Sequence, residues 1–143
     1  MPDGKSQSFA RLPLSTVALQ LEQDNNTNRA HVIDSVSMGG AKYRNAIAYR
    51  RNPGSDECAI FTLHNLSSKY KTMIGYAGRI DGTGMINAVL NIYGDDTLLS
   101  TYSLRARDFP IMTSTIIDGV SQLKIEFTTT DSGVSYAFAG YLE

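Results

Sequence analysis

The chain is 143 residues long, 42% hydrophobic and 19% charged, with a formal net charge of −1. That is the length of one domain, able to bury a core without staples, and the near-neutral balance excludes a dedicated duplex-DNA binder, whose affinity rests on an excess of Lys and Arg. A single cysteine, Cys58, excludes an intrachain disulfide, and with two histidines it leaves too few soft ligands for a structural zinc site.

No run of 18 apolar residues exists, so no transmembrane helix is predicted. The opening MPDGKSQSFARLPLST lacks the apolar centre of a signal peptide, and the chain reads as cytosolic or as a domain of a longer exported chain. Six Val, eleven Ile, twelve Thr, eight Tyr and five Phe favour pleated, half-buried surfaces.

In chain order, residues 1–15 hold Pro2, Gly4 and Pro13 and read as a tail or linker with a short anchor from Phe9 to Leu14; the domain proper is expected over 16–143. Val17, Leu19 and Leu21 alternate with polar or small neighbours, a strand by period. Asp24 to Asn28 is turn chemistry. Val32, Asp34, Val36 and Met38 alternate with Ile33, Ser35 and Ser37 until Gly39-Gly40 closes the strand. Arg50 to Asp56 reads as a loop, and Cys58 to Leu63 as a short apolar strand covered on both faces. Asn65 to Lys71 is a polar connection, with room for one helical turn over 66–73. Met73–Gly78 and Met85–Tyr93 are strands either side of the Asp81-Gly82-Thr83-Gly84 turn. Gly94 to Thr97 predicts a hairpin into Leu98–Leu104. After Phe109-Pro110 come strands over Thr113–Ile117, Leu123–Thr128 and Tyr136–Leu142.

Eight or nine short strands with no helical period predict an all-β antiparallel sandwich or jelly roll. Its core is expected to hold Val32, Ile60, Leu63, Ile74, Val89, Ile92, Leu123, Ile125 and Phe138.

Catalytic chemistry is not expected. There is no nucleophile elbow and no Walker loop, and His31 and His64 read as structural or surface residues. Asp56-Glu57 and Asp95-Asp96 are adjacent carboxylates, which on a strand point to opposite faces and make a poor acid/base pair. Cys58 reads as an inert core thiol. No cofactor is predicted. Asp81, Asp95 and Asp96 offer oxygens to a structural calcium, but no spaced loop of donors is present, so no high-affinity site is expected.

The informative cluster is basic and aromatic. Residues 41–110 carry most of the positive charge, and Lys42, Arg44, Arg50 and Arg51 bracket Tyr43, Asn45 and Tyr49. A pyranose stacks its C–H face on a ring while its hydroxyls need directional partners, so Tyr43, Arg44, Asn45, Tyr49, Arg50 and Arg51 are the predicted ligand-binding residues. Tyr102, Arg105 and Arg107 form a second such grouping.

From Ser37 onward the motif order resembles the NPCBM family of carbohydrate-binding modules. The carrying residues are Ser37 to Ile47 around Gly39-Gly40 and Tyr43, Ala59 to Leu66 followed by Tyr70-Lys71, and Gly75-Tyr76-Ala77-Gly78 with Asp81. Ala88 to Asp95 with Leu98-Leu99, and Ile116 to Ile125, complete the series. Tyr49 stands where many members have a His, and Tyr141 where they often have a Trp. The resemblance implies a galactose-binding-like sandwich over 37–143 and an accessory, non-catalytic module of an exported bacterial protein. It implies an extracellular or cell-surface setting, with carbohydrate or a surface glycan, and other domains of a parent protein, as partners and no nucleic acid. The competing reading is a structural or protein-interaction sandwich without a small-ligand pocket.

Overall fold

The computed structural model describes residues 12–17, 19–21, 23–24, 28–51, 59–129 and 135–143. Among them run twelve strand segments: β1 (Leu12–Pro13), β2 (Leu19–Leu21), β3 (Gln23–Asp24), β4 (Asn28–Met38), β5 (Ala41–Arg51), β6 (Ala59–Asn65), β7 (Thr72–Arg79), β8 (Ala88–Gly94), β9 (Thr97–Leu104), β10 (Ile111–Ile116), β11 (Gln122–Thr128) and β12 (Ser135–Leu142). They form two antiparallel sheets, a sandwich as the strand period predicts. The larger sheet runs β10-β7-β12-β5-β4-β3, with β1 added to β12; the smaller runs β2-β6-β11-β8-β9.

Alternation along each strand sends one set of side chains into the core between the sheets. β8 buries Ala88, Leu90 and Ile92, and β11 buries Leu123, Ile125 and Phe127. From the larger sheet come Ile47, Tyr49, Met73, Tyr136 and Phe138. Phe127 stands between two tyrosines, with ring centroids 4.7 Å from Tyr49 and 5.7 Å from Tyr136. Phe138 lies over Gly75 and Gly140, where any Cβ would collide with its ring.

Ile60, Ile92, Leu123, Ile125 and Phe138 are fully buried, as expected. Leu63, Ile74 and Val89 are only half-buried, because their strands turn the other parity inward. Val32 is 46% exposed. In β6 it is Thr62 and His64 that enter the core. They are tolerated because Tyr49 reaches across: its hydroxyl bonds Thr62 Oγ1 at 2.7 Å, and Thr62 Oγ1 bonds His64 Nε2 at 2.8 Å. His64 Nδ1 has no hydrogen-bond partner among the described residues. Burial pulls the imidazole down from 6.5 to about 4 and pushes the Tyr49 phenol up.

The β4–β5 hairpin does something the alternation does not predict. Its register keeps the same offset from Val32–Ile47 to Met38–Ala41, but the ladder skips the Asp34–Asn45 pair. Yet Ile47 and Tyr49 belong to the main core, while Val36, Met38 and Tyr43 pack into a second cluster with Ala46, Ala48, Ala137 and Ala139. The switch falls at Asn45, whose φ of 56° is left-handed, a conformation Asn adopts more readily than most residues. Past that pivot the hairpin folds over the outer face of its own sheet. Its Gly39-Gly40 tip has two positive φ values, as a two-residue hairpin turn requires. Asp81 then fixes the tip, one carboxylate oxygen accepting Gly39 N–H at 2.8 Å and the other Gly40 N–H at 2.9 Å.

Two further expectations shift. Leu12–Ser15, expected in the tail with an anchor from Phe9 to Leu14, lie against the packed unit: β1 pairs Leu12 with Leu142, and Leu14 is fully buried in the core. No helical turn forms over 66–73; Ser67 and Ser68 both have left-handed φ, and Lys69 N–H turns back to the Leu66 carbonyl. Asp95-Asp96 make the predicted hairpin turn, with φ of 49° and 71°. Cys58, Asp56 and Glu57 lie outside the described residues.

Candidate functional site

The predicted cluster at 43–51 lies in the body of β5. Alternation and the Asn45 pivot disperse it. Tyr49 is 0% exposed, with its hydroxyl engaged by Thr62. It belongs to the core, so it has no face to offer a sugar. Tyr43 is half-buried against Tyr76, ring centroids 5.5 Å apart. Arg44 is exposed, and its carbonyl accepts the Tyr141 hydroxyl at 3.1 Å. Asn45 is the pivot. Arg50 is exposed six residues from Arg44, on the other side of that pivot. Arg51 ends β5, and its side chain lies outside the described residues. The structure therefore gathers Tyr43 and Arg44 with Tyr76 and Tyr141 on the outer face of the larger sheet, and separates the others. The same face carries Ile74, Met112 and Ile116, the last two 64% and 76% exposed.

The outer face of the smaller sheet carries a different arrangement. Register places its outward residues in rows across β6, β11, β8 and β9. The first row is Ala59, Thr128, Val89 and Ser103; the second is Phe61, Glu126, Asn91 and Thr101; the third is Leu63, Lys124, Tyr93 and Leu98. β11 is the central strand, so Lys124 and Glu126 stand mid-sheet, with side chains 31% and 13% exposed.

These polar groups are ordered. Thr101 Oγ1 donates to Asn91 Oδ1 at 2.7 Å, and Asn91 Nδ2 donates to Glu126 Oε1 at 3.1 Å. Lys124 Nζ lies 3.6 Å from Glu126 Oε2. The same ammonium is 4.4 Å from the centre of the Phe61 ring and 5.2 Å from that of Tyr93, so one cation holds both rings. The Glu126 charge beside Tyr93 raises its phenol above the usual value, aided by burial and a hydrogen bond.

The first row opens into a pocket of about 480 Å³, where Val89, Ser103 and Thr128 meet Asn87, Arg105 and Thr129 at the sheet's end. Its walls are mainly small and apolar. Its polar lining residues are Asn87, Ser103, Arg105, Thr128 and Thr129, the Thr129 hydroxyl donating to the Asn87 carbonyl at 3.0 Å. Of the second grouping picked out in the sequence, Arg105 lines this pocket, whereas the Tyr102 hydroxyl turns to the Ser114 carbonyl at 3.3 Å.

Two of the three carboxylates considered for calcium are engaged elsewhere. Asp81 holds the Gly39-Gly40 tip, and Asp95 accepts the Ser121 and Gln122 N–H groups. Among the described residues no group of three His, Cys, Asp or Glu side chains is placed to hold a metal ion. No helix among them is long and apolar enough to cross a membrane.

The Phe61, Asn91, Tyr93, Lys124 and Glu126 set was missed because its members come from three strands far apart in sequence. One signal was present: Lys124 and Glu126 alternate with buried Leu123, Ile125 and Phe127, which marks them as outward residues of a core strand.

No protein-family model matches the sequence, and no curated protein matches it. Solved structures do. The structure of CBM51-2 in complex with GlcNAc and INT domains from Clostridium perfringens ZmpB superposes with a TM-score of 0.67 at 11% identity, covering 93% of this chain and 31% of that one. The M60 catalytic domain with the CBM51-1 and CBM51-2 domains of the same protein gives 0.65 at 12% identity, covering 93% and 15%. The CBM22-1 xylan-binding domain from Paenibacillus barcinonensis Xyn10C gives 0.52 at 9% identity, covering 92% and 90%. The chain thus spans about a third of the first of these structures. At such identities the likeness establishes the sandwich fold.

Proposed function

We propose that this chain is a non-catalytic carbohydrate-binding module, similar to the NPCBM family and belonging to an exported bacterial protein. Its ligand is a glycan laid on the outer face of the smaller sheet. The observation that carries this reading is the row of Thr101, Asn91 and Glu126 beside two rings locked by Lys124. A sugar presents an apolar C–H face and an edge of hydroxyls. Phe61 and Tyr93 suit the face. Glu126 accepts hydroxyl protons, Lys124 donates, and Asn91 does both. Because these groups already bond one another, little side-chain order is lost on binding. The fold shared with structures that contain carbohydrate-binding modules supports the same ligand class.

The sequence-predicted contacts Tyr43 and Arg44 lie on the opposite sheet and are at most an auxiliary surface. A protein-contact domain lacking a small-ligand pocket is the weaker reading, because the concavity of about 480 Å³ adjoins the polar row. Single-module affinity is expected to be weak, with neighbouring modules adding avidity.

The test is calorimetric titration with neutral and acidic oligosaccharides. Binding up to millimolar concentrations, lost at least tenfold in Phe61→Ala and in Glu126→Gln, is the expected result. Absence of any binding removes the proposal, and binding untouched by both variants removes this face as its site.

A further inference from the structure

The pocket beside the Glu126 row is bordered by a turn that is anchored from two sides. Ala106 N–H donates to Asn87 Oδ1 at 2.8 Å, and the Ala106 carbonyl accepts Arg79 Nε at 3.0 Å. Asp108 N–H closes the turn on the Arg105 carbonyl at 3.0 Å. Arg105 therefore meets the pocket from fixed backbone.

Charge around this turn is lopsided. Arg79 is half-buried and gives its hydrogen bonds to three carbonyls, those of Ala106, Ile80 and Thr83. It pairs with no carboxylate among the described residues. Carbonyl dipoles solvate a guanidinium without neutralising it. Arg105 and Arg107 add two more cations. Against the three stands Asp108, 3.9 Å from Arg105 Nε; the two side chains are 65% (Arg105) and 55% (Asp108) exposed, a contact too long and too wet to hold the fork. Asp81 is committed to the hairpin tip, and Glu126 is paired with Lys124. Among the described residues the charged groups of this turn, three arginines against one aspartate, sum to a positive charge, which favours anions.

We infer that this pocket takes the anionic group of a sugar, the carboxylate of a uronic acid or a sulfate ester, on the terminal nitrogens of Arg105. The inference rests on the carbohydrate reading above. A planar guanidinium matches two oxygens of such a group at once, which a neutral hydroxymethyl does not offer. Asn87 adds donors: its Oδ1 is engaged by Ala106, which leaves the NH₂ as the free end of the amide. The Ser103 hydroxyl lines the same space. The apolar walls suit the ring's C–H face.

The test compares sugars that differ only at C6: galacturonic and glucuronic acid, their methyl esters, the corresponding 6-sulfates and the parent hexoses. They are titrated into the intact chain by calorimetry at low and high salt. At least one charged ring is expected to bind about tenfold more tightly than its uncharged counterpart. Added salt narrows that gap, Arg105→Gln erases it, and Arg105→Lys restores part of it. Whether the acid or the sulfate shows the gap identifies the anion. Because Arg105 is largely exposed, its variants keep the wild-type melting temperature, which checks that the fold is intact. Equal binding of charged and uncharged rings overturns the anion site while leaving sugar binding in place. A gap that survives Arg105→Gln overturns it as well. If no C6-variant binds while neutral oligosaccharides do, the anion site also falls; if nothing binds at all, the carbohydrate reading falls with it.

Discussion

The outer faces of the two sheets follow the same strand period and present opposite chemistry. On the larger sheet the outward residues are largely apolar and aromatic: Tyr43 rests on Tyr76, Met112 stands exposed beside Tyr76, and Ile116 is exposed at the far end of the same strand. The folded-over hairpin covers part of that face, and its cluster is a second small core built of Val36, Met38 and four alanines. On the smaller sheet the outward residues are polar groups already bonded to one another between two rings. One face uses its surplus apolar area to hold down a hairpin. The other keeps hydrogen-bonding groups near water in fixed positions. Fixed polar groups next to a concavity are what recognition of a hydroxylated ligand needs; a tyrosine patch under a flap serves stability first.

The largest expected effect separates inside from outside on one strand. Ile60→Ala should cost about 2–5 kcal/mol of unfolding free energy by removing a fully buried side chain. Phe61→Ala, one residue on, should cost much less and act on glycan affinity instead. Chemical denaturation and calorimetry of both variants check this; equal destabilisation would put Phe61 in the core.

Acid should act through the interior rather than through either face. The His64 imidazole is held near 4 in the fold against 6.5 when unfolded. Protons therefore bind the unfolded chain more readily between those values, so stability is complete above about pH 6.5 and falls as pH drops toward 4. Such a shift corresponds to about 3 kcal/mol. Denaturant midpoints across that range, compared with His64→Gln, measure it; identical slopes for both proteins would contradict the assignment.

A smaller loss is expected from Asp81→Ala. It leaves the Gly39 and Gly40 N–H groups without their carboxylate and should cost about 1–3 kcal/mol. Hydrogen exchange should quicken at the hairpin tip, and glycan affinity should not change. The smallest effect is that of Tyr76→Ala, which removes one ring of a pair worth about 1 kcal/mol beyond its area. Sugar affinity within twofold of wild type is expected. A large loss there would move the ligand to the tyrosine face and undo the contrast between the sheets.

Much of the fold was legible because period-2 alternation and turn residues are local signals. Gly39-Gly40 and Asp95-Asp96 both make the two-residue turns that their chemistry demands, and Leu123, Ile125 and Phe138 lie in the core. What stayed hidden depends on partners distant in sequence. Nothing in Ile60-Phe61-Thr62-Leu63-His64 says that Thr62 and His64 face inward; that follows from Tyr49 on the other sheet. Nor does the sequence around Asn45 announce that one left-handed residue reverses which side of β5 is buried. For that reason Tyr43 and Tyr49 lie in different clusters. The polar row was illegible because Glu126, Asn91 and Thr101 meet only through register.

The pairing of Leu12 with Leu142 has a separate consequence. The first and last described strands are neighbours in one ladder, so residues 12 and 142 stand side by side. Such a unit tolerates circular permutation, and it can be spliced into a surface loop of a host domain as a pendant without prising that host apart.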